Sequence, residues 1–219
     1  MRNAPVRNIF VLCTGRCGST TFARAAAHIR GWTAGHETRA HLIGPDRLAY
    51  PPDHIEADNR LSWMLGRLDR RFGKDAAYVH LTRAPEEVAR SYARRARYGI
   101  MHAYYHGIVF PAPADVIRDR RPLLPHAQDM VETITANITH FLRDKPHVLP
   151  MRLEQIETDF PAFWSWIGAE GDLDSALQEW SIRHNESAPA GPSRGIIGRA
   201  LSWPKQQGAS RSSPGPRAD

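Results

Sequence analysis

The chain has 219 residues, 42% of them hydrophobic, and a formal charge of +6, a length that supports one α/β domain with a full core. Its two cysteines, Cys13 and Cys17, exclude a disulfide framework, and no apolar run approaches the roughly 20 residues needed to cross a bilayer. Met1-Arg2-Asn3-Ala4-Pro5 leads straight into an apolar segment, so no signal peptide and no membrane association are expected, and the cytoplasm is the default location.

The first predicted strand, 9–13, runs into Thr14-Gly15-Arg16-Cys17-Gly18-Ser19-Thr20-Thr21, and a helix over 20–30 follows. A strand that turns through glycines into a helix presents backbone N–H groups and the positive end of the helix dipole to an anion. Ser19, Thr20 and Thr21 add hydroxyl donors and a helix cap, and Arg16 adds a permanent charge with forked donors. Together they predict a cradle for phosphate or sulfate. The segment is not the common nucleoside-triphosphate loop, because Gly15 and Gly18 are too close together and Ser19 follows Gly18 where that motif has lysine. Taken alone, it also fits an ordinary strand–turn–helix corner. Loop amides and Arg16 favour a thiolate at Cys17, but neither cysteine has the arginine six residues later that cysteine phosphatases use.

A short strand from Trp32 to His36 brings Gly35-His36-Glu37 to the same sheet edge. The spacing of Leu61, Leu65, Leu68 and Phe72 predicts a helix over 57–72. Strand 77–82 then ends at Arg83, and Pro85-Glu86 opens a helix over 85–98. Arg83 therefore stands at a strand carboxyl end, where open α/β sheets bind ligands. Ser91 follows after eight residues, about two helical turns, so the pair is placed to clamp a second phosphate. The aromatic and proline-rich stretch 98–125, with Tyr104, Tyr105 and Phe110, reads as a substrate wall. His102 and His106 lack carboxylates at ligand spacing, so no metal is expected. Helix 127–143, strand 147–151 and short helices near 159–168 and 173–183 complete an α/β pattern with a central parallel sheet. Residues 1–186 read as the domain, and 187–219, rich in Pro, Gly, Ser and Arg, as a disordered tail.

The two anion segments together resemble the sulfotransferases that use 3′-phosphoadenosine 5′-phosphosulfate. Thr14 through Thr21 matches the family's element for the 5′-phosphosulfate, while Arg83 and Ser91 match its strand-end arginine and later serine for the 3′-phosphate. Val148-Leu149-Pro150-Met151-Arg152-Leu153-Glu154-Gln155-Ile156 is similar to the family's late strand and its short R-Y-E-D-L segment. The resemblance spans roughly 8–185. It implies a three-layer αβα fold of the P-loop NTPase-like sulfotransferase type, with the phosphosulfate as co-substrate, no metal, and a small-molecule or carbohydrate acceptor. The chain departs from the pattern in three places. Arg16 replaces the loop lysine of many members, and Leu153 replaces the tyrosine that cytosolic members place near the adenine. The late glycine-rich basic segment is not distinct, Arg194-Gly195 and Arg199 being its candidates.

By the same resemblance, with glycosaminoglycan and bacterial glycolipid sulfotransferases, Glu37 is the expected general base. His36 is second, since a neutral imidazole does the same work; His41, Glu56 and Asp58 stand in reserve. Arg16 is assigned to the leaving group, and Ser19, Thr20 and Thr21 to phosphosulfate oxygens. Of the 29 basic residues 26 are arginine, which raises nucleic-acid binding. Many of them, such as Arg60, Arg67, Arg70 and Arg71, lie opposite an apolar stripe. A highly anionic donor and an anionic acceptor account for the excess without nucleic acid. The rival readings are a P-loop phosphotransferase of kinase-like type and a nucleotide-binding protein without catalysis; a homodimer is left open.

Overall fold

The computed structural model describes residues 6–95, 99–109 and 123–182, and the segment 187–219 read as a disordered tail lies outside them. Five strands form one parallel sheet: β1 (Asn8–Leu12), β2 (Thr33–His36), β3 (His54–Ala57), β4 (Ala77–Thr82) and β5 (Val148–Arg152), in the order β2-β3-β1-β4-β5. Asn8 to Val11 register with His54 to Ala57 on one side, and Ile9 to Leu12 with Ala77 to His80 on the other. A central parallel strand is covered on both faces, which is why Ile9, Phe10, Val11 and Leu12 form an unbroken buried run.

The helices are α1 (Ser19–Ala26), α2 (Leu65–Phe72), α3 (Pro85–Ala93), α4 (Gly99–Ala103), α5 (Leu123–Leu142), α6 (Ile156–Trp166) and α7 (Leu173–Ser181). On one face Phe22 of α1 meets Phe160 and Phe163 of α6 and Trp180 of α7. On the other, Phe10 packs on Phe72 of α2 and Tyr78 on Phe141 of α5. The three-layer α/β arrangement read from the sequence is therefore the observed one.

One element differs from the expected order. The helix expected over 57–72 is shorter, because His54–Ala57 pairs as β3, Asn59–Trp63 forms a 3₁₀ turn, and only Leu65–Phe72 is α-helical. All four β3 residues are buried, including His54 and Glu56, which are charged or polar and satisfy each other across 2.9 Å. Glu56 also accepts from the Thr38 amide at 2.7 Å and the Thr38 hydroxyl at 2.6 Å. Buried polar groups of this kind persist only when paired. With every strand parallel, the loops after β1, β2, β3, β4 and β5 all emerge at one sheet edge. That edge holds the site.

Candidate functional site

The loop after β1 turns tightly, with positive φ at Gly15 (84°), Arg16 (61°) and Gly18 (87°). Arg16 in this region is a strained, non-glycine exception, of the kind found at ligand sites. Gly15 is required sterically as well, since a Cβ there would lie 2.1 Å from the Tyr92 hydroxyl and 2.4 Å from Asn59 Nδ2. Gly18 is the N-cap of α1, and no side chain caps it, so Ser19, Thr20 and Thr21 are inside the helix and not its cap. The first backbone bond of the helix entrance runs from the Phe22 amide to the Gly18 carbonyl at 2.8 Å. The amides before it have no intrahelical acceptor and face the loop at the positive end of the dipole.

Side chains from the turn after β3 and from α3 hold this loop in shape. The Tyr92 hydroxyl donates to the Thr14 carbonyl at 2.7 Å, and Asn59 Nδ2 donates to the same hydroxyl at 3.4 Å. Ser62, in the turn after β3, donates to the Cys13 carbonyl at 3.1 Å. Inside the loop the Cys17 thiol lies 3.2 Å from Thr14 Oγ1 and donates to the Gly15 carbonyl at 3.2 Å. A hydrogen bond from Cys13 holds the Cys17 thiol below its usual range, and that same contact pushes Cys13 up. Both thiols are buried, so their contacts pack the loop.

The two segments that the sequence analysis expects to hold anions meet in the fold. Arg16 Nε donates to Ser91 Oγ at 3.0 Å, and Arg83 Nη1 donates to the Arg16 carbonyl at 3.2 Å. Arg83 also stands 3.7 Å from Glu87, one turn into α3. Burial lowers the Arg16 guanidinium from its usual value, and the positive charges of Arg95 and Arg83 lower it further. Arg83, Ser91 and Arg16 thus form one cationic cluster beside the α1 entrance.

His36 and Glu37, at the end of β2, part company. His36 Nε2 lies 3.1 Å from Ser19 Oγ and 3.3 Å from Thr20 Oγ1, so it touches the anion loop. Glu37, in the left-handed region at φ 54°, forms an ion pair with Arg60. Of the reserve carboxylates, Glu56 is committed to Thr38 and His54. Asp58 is fully buried and bonded to Arg47 at 2.5 Å. Burial raises the Asp58 carboxyl above its ordinary range, and Arg47 only partly offsets this. Both carboxylates support the sheet edge. His41 is exposed.

A cavity of about 660 Å³ opens beside the loop, lined in part by Arg16, Asn59, Arg60, Arg94 and Arg95. A second, of about 430 Å³, lies between Thr14, Arg83, Thr135 and Arg152. A larger one of about 700 Å³, between α2 and α5, contains none of the predicted groups. Leu153 and Trp180 close over Gly18, 3.0 Å and 3.2 Å from where a Cβ would stand. Arg194, Gly195 and Arg199 lie outside the described residues, as does Phe110 of the aromatic stretch. The His102 and His106 rings lie with centroids 4.4 Å apart, tilted by 44°. Sequence reasoning missed Asn59, Tyr92, Arg60 and Arg95. Their places depend on how distant segments meet, and the only local signal is their position just after a strand or at the end of α3 and just past it.

No helix among the described residues is long and apolar enough to cross a membrane. No family model matches the chain, and no curated protein matches it in sequence. Solved structures do match in fold. The sulfotransferase domain from the curacin biosynthetic pathway aligns with a TM-score of 0.55 at 13% identity, over 81% of this chain and 78% of that one. A sulfotransferase from Alicyclobacillus acidocaldarius aligns with a TM-score of 0.50 at 14% identity, over 83% of this chain and 87% of that one. With its five-stranded parallel sheet between helix layers, the chain has the fold of the sulfotransferases.

Proposed function

We propose that the chain transfers a sulfonate group from 3′-phosphoadenosine 5′-phosphosulfate to a hydroxyl or amine of a small-molecule or carbohydrate acceptor. The observation that carries this reading is the junction of two anion elements at one sheet edge, where Arg16 touches Ser91 at 3.0 Å and Arg83 touches the Arg16 carbonyl at 3.2 Å. A ligand with two separate anionic groups fits that junction better than one with a single phosphate chain. The likeness of the fold to solved sulfotransferases supports it.

In this reading the α1 entrance, with Ser19, Thr20 and Thr21, holds the 5′-phosphosulfate, and Arg83 with Ser91 holds the 3′-phosphate. The acceptor oxygen or nitrogen attacks sulfur, forming the new S–O or S–N bond as the bond to the bridging oxygen breaks. Adenosine 3′,5′-bisphosphate leaves with the electron pair. Arg16 supplies positive charge to that oxygen. Glu37 takes the acceptor proton, with His36 as the second candidate; the contact of His36 with Ser19 and Thr20 favours a role in holding those hydroxyls.

The test is thermal unfolding with adenosine 3′,5′-bisphosphate beside ATP, ADP and adenosine 5′-phosphate. A ligand at 100 times its dissociation constant adds about 2.7 kcal/mol. Selective stabilisation by the 3′,5′-bisphosphate is expected. Stabilisation only by ATP with magnesium would transfer the reading to phosphoryl transfer.

A further inference from the structure

We infer that the acceptor is itself an anion: a small hydroxyl- or amine-bearing molecule with a carboxylate, phosphate or sulfate group, bound in the cavity between the anion loop and the end of α3. The inference rests on the sulfonate-transfer reading above and specifies the substrate class of that site. The cavity, about 660 Å³, is of small-molecule size. Four arginines, Arg16, Arg60, Arg94 and Arg95, are among its lining residues, and no carboxylate residue is among those described. Ile100 and Leu123 add an apolar wall. Guanidinium groups gathered in a concave site raise the local concentration of anions and bind carboxylate or phosphate through paired N–H donors. Arg60 holds an ion pair with Glu37 on the same rim, and Arg94 is exposed just after α3. Arg94, with Arg95 beside it in the lining, is the group assigned to the acceptor's charge.

A second observation concerns the acceptor's reacting end. The Tyr92 hydroxyl proton is committed to the Thr14 carbonyl, so Tyr92 receives a hydrogen bond from Asn59 Nδ2. This fixes which end of the Asn59 amide faces Tyr92. Asn59 Oδ1 is then left buried, with no hydrogen-bond partner, in a side chain that lines the cavity. A buried carbonyl oxygen seeks a donor, and the O–H or N–H of an acceptor is one. The cavity therefore offers a cationic end for the acceptor's charge, and the unpaired Asn59 oxygen gives a polar point beside its lining toward which an acceptor's O–H or N–H orients.

The experiment first measures adenosine 3′,5′-bisphosphate binding by calorimetry. With that ligand saturating, matched hydroxyl compounds are titrated by ligand-observed NMR: 4-hydroxybenzoate against 4-hydroxybenzamide, and glycerate against glyceramide. Each carboxylate is expected to bind about tenfold more tightly than its amide. Measured with the bisphosphate saturating each variant, the Arg94→Gln/Arg95→Gln double variant should erase most of that preference, and Arg94→Lys/Arg95→Lys should retain most of it. Equal binding within both pairs, no binding by either carboxylate, or an unchanged preference in the glutamine variant would overturn the inference. If the bisphosphate does not bind, the donor reading fails. The same titrations on the ligand-free protein then still decide whether the cavity selects anions.

Discussion

The Tyr92 hydroxyl donates a 2.7 Å hydrogen bond to the carbonyl of Thr14, 78 residues earlier in the chain. That bond ties α3, which carries Ser91, to the loop after β1. It explains why Gly15 tolerates no side chain: the tyrosine oxygen and Asn59 occupy the space a Cβ would need.

Gly15→Ala should therefore combine backbone strain at φ 84° with displacement of Tyr92. Strain of this kind costs about 1–3 kcal/mol, which for a domain of this size lowers Tm by roughly 2–4 °C per kcal/mol. Calorimetric melting should show a drop of several degrees, together with weakened bisphosphate binding. An unchanged Tm would mean the loop rearranges freely.

Arg83→Ala should weaken binding of adenosine 3′,5′-bisphosphate by about 10- to 100-fold, the worth of a charge-assisted contact. Binding of adenosine 5′-phosphate should change little. Isothermal titration of both ligands decides, and equal losses would remove Arg83 from the 3′-phosphate site.

Glu37→Gln removes the proposed base but keeps a polar group facing Arg60. Turnover with any competent acceptor should fall by about 10²–10⁴-fold, while bisphosphate affinity is retained. If turnover survives in Glu37→Gln and is lost in His36→Gln, the base is His36.

His80, on β4 beside the Arg83 cavity, has its imidazole held below the ordinary histidine range by burial alone. The unfolded chain then binds the proton more readily than the folded one, so His80 contributes stability above about pH 6.5 that is lost as pH falls toward the depressed folded value. Melting temperatures of wild type and His80→Gln from pH 8 to pH 5 should diverge in slope, the variant losing less on acidification. Parallel curves would show that His80 stays solvated.

The strand–turn–helix units after β1 and β4 are legible in the sequence because each is local: a strand, a turn with glycines or a proline, then a helix. β3 was not, because His54-Ile55-Glu56-Ala57 looks polar and finds its partners only when folded, Glu56 on Thr38 and His54. For the same reason the apolar spacing that identifies α2 extends the expected helix N-terminal of Leu65, where α2 begins. Asn59 and Tyr92 escaped notice because neither has a partner within its own segment. The expected capping role of Ser19 gave way to Gly18, whose left-handed backbone opens the helix without a side chain.

The Tyr92–Thr14 bond also links ligand occupancy to local unfolding. Opening of α3 removes both the Tyr92 brace and Ser91 from the loop after β1, so the proposed binding conformation is lost whenever that helix frays. Occupation of the loop must in turn hold α3 closed, and amide hydrogens along Pro85–Ala93 should exchange more slowly in the liganded protein even where they lie far from the bound phosphate.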